Sequence, residues 1–253
     1  MSVLLATLFF ITAALYASVG FGGGSTYNAL LVLYGVDYRV LPTIALVCNI
    51  LVVAGGSWRF ASAGHLNFKK LLPFVATSIP LAWLGGRIPI SETIFIGALG
   101  FSLLAAGLHL SFGQKNSPIE ATKPSSPYIG ALVGGSIGFL SGLVGIGGGI
   151  FLAPVLYFLR WGRPKEIAGA CSLFILVNSI SGLTGQVTKL NDLGTLTLVS
   201  QYWALFPAVL IGGQIGSRFA NYRLKNATIK HLTAILILYV SIRLILRWVN
   251  LVF

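Results

Sequence analysis

Hydrophobic residues occur in this chain as long runs divided by short polar loops, at residues 3–18, 40–58, 71–86, 93–110, 128–143, 167–185, 198–216 and 229–248. A helix that crosses about 30 Å of hydrocarbon needs about 20 apolar residues, so these runs predict membrane helices. Two further apolar stretches, 25–34 and 150–159, are too short to span. Each follows a glycine cluster that interrupts the preceding run: Gly20-Phe21-Gly22-Gly23-Gly24-Ser25 in one case, Gly145-Ile146-Gly147-Gly148-Gly149 in the other. Three consecutive glycines cost a helix roughly 1 kcal/mol each against alanine, so the pattern predicts helices broken within the membrane.

The order of elements occurs twice. Asn49 and Gly56 recur as Asn178 and Gly185, and Pro80, Gly85 and Gly86 recur as Pro207, Gly212 and Gly213. Between the halves, residues 111–127 are polar and carry Pro118, Pro124 and Pro127, the composition of a linker. The expected architecture is an all-α polytopic integral membrane protein with a first membrane repeat at 1–110, the linker at 111–127 and a second membrane repeat at 128–253. Each repeat is expected to hold a broken re-entrant helix pair plus three transmembrane helices. The first run is read as a membrane element and not as a cleaved leader: its first ten residues lack Lys and Arg, and it has a counterpart in the second half.

Composition strengthens this reading and adds an orientation. The 253 residues are 56% hydrophobic and 9% charged, where soluble domains carry about 25% charged residues. A net charge of +12 would point to nucleic acid in a soluble protein. Here the 17 Lys and Arg fall almost entirely between apolar runs and read as topology signals facing anionic lipid, with no nucleic-acid partner. If each broken pair re-enters and leaves on one side, each half crosses three times and the second half is inverted. Twelve of the basic residues then share one face, and Arg39, Arg87, Lys189, Arg243 and Arg247 occupy the other. Counting each broken pair as one crossing gives 8 against 9, which orients nothing. The positive-inside rule therefore predicts two inverted repeats in the cytoplasmic (inner) membrane, both termini outside and the linker in the cytoplasm.

Candidate chemistry is narrow. The acidic residues Asp37, Glu92, Glu120, Glu166 and Asp192 all fall in loops or at helix edges, so no buried carboxylate is available as a proton relay. Cys48 and Cys171 lie inside apolar runs and read as small buried hydrophobes; no metal site or cofactor is predicted. The polar groups at mid-membrane depth are Asn49 and Asn178, with Ser172, Ser179 and Thr43 near them in sequence, and they suit either interhelical hydrogen bonds or a ligand. A glycine break also exposes the first N–H groups of the helix that follows, and a helix N-terminus carries about half a positive charge. Two such ends meeting at the midplane make an anion site without arginine. The candidate binding set is Gly22, Gly23, Gly24, Ser25, Gly147, Gly148 and Gly149 with Asn49, Asn178 and Ser172; tight helix packing is the alternative reading of the glycines. Gly130, Gly134, Gly138 and Gly142 recur every four residues and read as a packing face. Ser136 stands in a G-x-S-x-G pattern, but without the strand a nucleophile elbow needs. Trp58, Trp161, Trp203 and Trp248 lie at predicted span ends and suit an aromatic belt.

The two glycine breaks, the asparagine in each following span and the central polar loop together resemble the sulfite exporter TauE/SafE family of membrane transporters. The residues that carry the resemblance are 20–25 with Asn49, and 142–149 with Pro154, Ala170, Ser172 and Asn178. The resemblance implies transport of a small sulfur-containing anion, such as sulfite, thiosulfate or an organosulfonate, with no enzymatic activity. A secondary transporter working by alternating access is the expectation, with a proton or sodium as the candidate coupling ion. An anion channel is the alternative, followed by an intramembrane enzyme and a scaffold without a ligand.

Overall fold

The computed structural model describes residues 3–112, 126–218 and 226–252, and the described residues form helices with no strand. The first half holds α1 (Val3–Val19), α2 (Gly24–Leu33), α3 (Leu41–Ser62), α4 (Phe68–Arg87) and α5 (Glu92–Phe112). The second holds α6 (Pro127–Val144), α7 (Gly149–Phe158), α8 (Pro164–Asp192), a 3-10 turn at Leu196–Tyr202, α9 (Leu205–Arg218) and α10 (Asn226–Val252). Helices α3, α5, α6, α8 and α10 are each long and apolar enough to cross a membrane.

Local sequence explains most boundaries. Prolines lie in the first turn of α3, α6 and α8, where the missing N–H costs nothing because it would have no intrahelical acceptor. At the start of α8, Glu166 accepts a hydrogen bond from the Arg163 N–H at 2.9 Å. The short apolar stretches after the glycine clusters are helices that begin at Gly24 and Gly149. Two expectations need correction. The run at 198–216 is not one helix: the 3-10 turn and α9 meet at a bend of 55°. Pro207 sits in the first turn of α9, and its ring is incompatible with helix continuing unbroken from the residues before it. Trp161 does not join an interfacial belt. It is 1% exposed and packs with Leu71, Phe74 and Phe174, because the chain turns back after α7 and Trp161 N–H reaches Leu156 O.

Glycine faces bring backbones together. A Cβ added at Gly138 of α6 would lie 2.5 Å from Ser78 O of α4, and Cβ atoms at Gly134 and Gly142 would fall onto the carbonyl oxygens of Phe74 and Ala82. The same device joins α9 to α1, where Gly212 and Gly216 face the carbonyls of Phe10 and Ala14. The first helix of each half thus packs along the fourth helix of the other, and the halves interlock. Two equivalent pairs meet directly and run antiparallel. Along α3 and α8, Leu46 faces Gly182, Gly56 faces Ser172 and Phe60 faces Gly169. Along α5 and α10, Gly97 faces Trp248, Gly100 faces Leu244 and Gly107 faces Leu238. Each short helix has its own core: Tyr27 and Leu31 of α2 lie in one with Ile44, Cys48, Leu99 and Leu244, while Leu152 and Leu156 of α7 lie in another with Phe74, Cys171 and Phe174. Cys48 and Cys171 are free thiols, fully buried.

Candidate functional site at two helix breaks

Both breaks are buried. Residues 22–31 and 141–149 are shielded throughout, and the helices that leave them start on left-handed glycines, Gly23 at φ 85° and Gly148 at φ 81°. Only glycine takes that conformation routinely, and it turns the chain into the new helix within one residue. Neither glycine can supply a side-chain cap. The first N–H groups of α2 and α7 have no intrahelical acceptor, so two positive helix poles are buried without a capping side chain.

Asn49 joins the two breaks. Its Nδ2 donates to Ile146 O at 3.3 Å in the second break, while its Oδ1, fully buried and without a partner, faces Gly22 in the first. A Cβ at Gly22 would lie 2.5 Å from that oxygen, and Cβ atoms at Gly24 and Gly147 would lie 2.6 and 2.7 Å from Nδ2. The absence of side chains on these glycines is what admits the amide. Ile175 of α8 fills the other side, close to Gly22, Gly147 and Gly149, and Ser179 Oγ, also without a partner, flanks Gly147. Gly24 comes so near Ile146 that a Cβ would lie 2.5 Å from its carbonyl oxygen. The N-terminal pole of α2 therefore rests against the chain that leaves the C-terminal end of α6.

The carbonyl ends of α1 and α6 are finished differently. After α1 the backbone closes on itself, with Gly20 N–H donating to Ala17 O and Phe21 N–H to Tyr16 O, as in a Schellman turn. After α6 the left-handed Gly145 donates its N–H to Ser141 O at 2.8 Å, and three side-chain amides take the carbonyls beyond it. Gln186 Nε2 donates to Gly142 O at 2.7 Å, Asn28 Nδ2 to Val144 O at 3.0 Å, and Asn49 to Ile146 O.

The expected set is brought together in part. Gly22, Gly23, Gly24, Ser25, Gly147, Gly148, Gly149 and Asn49 share one buried region. Asn178 is fully buried but donates to Phe174 O of its own helix at 2.8 Å, and Ser172 Oγ pairs with Ser57 Oγ at 3.0 Å, joining α8 to α3. The structure adds Asn28, Ile175 and Gln186, and places Ser179, already noted near Asn178, against Gly147. Asn28 and Gln186 carry a legible signal as polar residues inside apolar runs; Ile175 carries none, since only packing selects it from many isoleucines.

Charges stand away from the breaks. Asp37 and Arg39 pair through several hydrogen bonds in the α2–α3 loop, which hold the Asp37 carboxyl below its ordinary range. Arg247 pairs with Glu92 across α10 and α5, and the two ion pairs line one surface cavity of about 360 Å³. Ser136 is exposed in α6, its hydroxyl donating to Leu132 O at 2.9 Å.

The model of the family described as Sulfite exporter TauE/SafE matches residues 4–244. The chain is similar to the probable membrane transporter protein y4hK of Sinorhizobium fredii, at 30% identity over 95% of this chain and 97% of the relative. It is also similar to the probable membrane transporter protein YunE of Bacillus subtilis, at 25% identity over 96% and 97%. A probable membrane transporter protein of Methanocaldococcus jannaschii is 28% identical over 71% and 70%. No solved structure matches. The chain belongs to the sulfite exporter TauE/SafE family and is a multi-pass membrane transporter.

Proposed function

We propose that the protein is a secondary transporter that moves a small sulfur-containing anion, sulfite, thiosulfate or an organosulfonate, by alternating access between two inverted repeats. The observation that carries this reading is the pair of buried, uncapped helix N-termini beside Asn49. An oxyanion there accepts hydrogen bonds from backbone N–H groups and meets two positive poles in a low-dielectric interior, with no side-chain charge to hold it too tightly for release. Asn49 Oδ1 stands where an anion's oxygen would be received at the first break, so loading requires that the amide and Ile175 give way. The family description supports the sulfur chemistry of the cargo. Inversion is supported by the antiparallel packing of α3 on α8 and of α5 on α10, because a two-fold axis in the membrane plane reverses equivalent helices.

Purified protein should melt at higher temperature with sulfite, thiosulfate or a short sulfonate than with phosphate or a carboxylate at equal ionic strength, since a ligand of the folded state raises its stability. Proteoliposomes loaded with unlabelled anion should accelerate uptake of labelled anion. No stabilisation by any of these anions overturns the site, and flux without exchange replaces the transporter by a channel.

A further inference from the structure

The C-terminal end of α6 is surrounded by oxygen atoms that nothing satisfies. Asn28 and Gln186 spend their NH₂ groups on the carbonyls of residues 142–144, which leaves Asn28 Oδ1 and Gln186 Oε1 buried without a donor. Ser141 Oγ, in the last turn of α6, and Thr43 Oγ1 are likewise buried and unpartnered. Thr43 follows Pro42 in α3, and the Pro42 backbone packs on Gly145, its carbonyl oxygen 2.8 Å from where a Cβ would stand. Residues of four elements that carry unpartnered buried oxygens thus gather near one helix end, whose backbone carbonyls make it the negative pole. The counterpart after α1 lacks this arrangement: Tyr16 stands in place of Ser141 and Ala153 in place of Asn28.

We propose that the end of α6 is a binding site for one monovalent cation, held by Asn28, Thr43, Ser141 and Gln186, and that the first repeat has no equivalent. The ligand set is entirely oxygen, which suits a hard cation, and it includes no carboxylate, which disfavours a divalent one. Half-helix C-termini with neighbouring carbonyl oxygens are a recurrent sodium-binding device at transporter midplanes. Asn49 links this site to the glycine breaks: it holds Ile146 O on one side and faces Gly22 on the other. A cation at α6 therefore strengthens the positive field at α2 and favours loading of an anion beside it. This coupling role rests on the transport reading, while the binding does not.

The test is thermal unfolding of the purified full chain in detergent, with sodium chloride replacing choline chloride at constant total chloride and no other anion added. Sodium is expected to raise the melting temperature saturably, and lithium or potassium to do so with a different affinity. Thr43→Val removes one oxygen while breaking no hydrogen bond, and Asn28→Ala installs the residue of the other repeat; each should weaken sodium binding about tenfold, the scale of one lost polar contact. If Asn28→Ala does not fold, because Val144 O loses its donor, Thr43→Val decides. Equal stability in sodium and choline overturns the proposal, as does a sodium response that Thr43→Val leaves unchanged. A sodium response in a protein that no sulfur anion stabilises keeps the cation site and removes the anion reading instead.

Discussion

Asn49 and Asn178 occupy matching places in the two repeats, and both are fully buried. Their surroundings separate them. Asn49 donates to a different element, 97 residues away in the chain, and lies against three glycines, whereas Asn178 donates within its own helix. Replacement by leucine should accordingly have unequal effects: Asn49→Leu is expected to lower affinity for the anion at least tenfold, and Asn178→Leu to change it only a few-fold. Ligand-induced melting shifts of the two variants check this, and equal losses would favour a symmetric site. The place of both asparagines inside long apolar helices was legible in the sequence. Their different partners were not, because a hydrogen bond to a carbonyl depends on where the backbone breaks in the other repeat.

At the scale of elements, the four-residue glycine spacing of α6 predicted a close helix contact but not its partner, since any helix can fill a smooth face. The structure supplies α4, and it makes the cost of substitution uneven. Gly142→Ala would drive a Cβ into the Ala82 carbonyl, and two backbones cannot yield as a flexible side chain does. A loss in the upper part of the about 1–3 kcal/mol range for overpacking is expected. Gly35→Ala meets nothing within 4 Å, and its cost is limited to the left-handed backbone at φ 67°, about 1 kcal/mol. Thermal or denaturant unfolding in detergent measures both, and equal values would contradict the close approach of α4 and α6. The short helices were placed to within a residue because glycine clusters are strong local breaks. The run at 198–216 was misread because hydropathy alone does not register the turn that Pro207 imposes.

For the whole molecule, the interlocking of first and fourth helices between halves means that neither half buries its glycine faces alone. The orientation expected from loop charge is open to direct measurement. Cys48 and Cys171 are fully buried, so an introduced surface cysteine supplies the reactive thiol. In intact cells, an impermeant maleimide is expected to label Leu193→Cys, beyond the end of α8, and to spare Ala63→Cys, beyond the end of α3, until the membrane is opened. The reverse pattern would turn the molecule over in the membrane.

The sequence by itself determined the class of molecule, the duplicated order of elements and the positions of both breaks, because hydropathy, internal repetition and glycine clusters act locally along the chain. Tertiary structure alone decided that the two breaks share Asn49, that Ile175 lies between them and that side-chain amides from three other helices reach the carbonyls at the end of α6. The amide contacts join residues 44 to 116 positions apart, which the packing of separate helices fixes and no periodicity records.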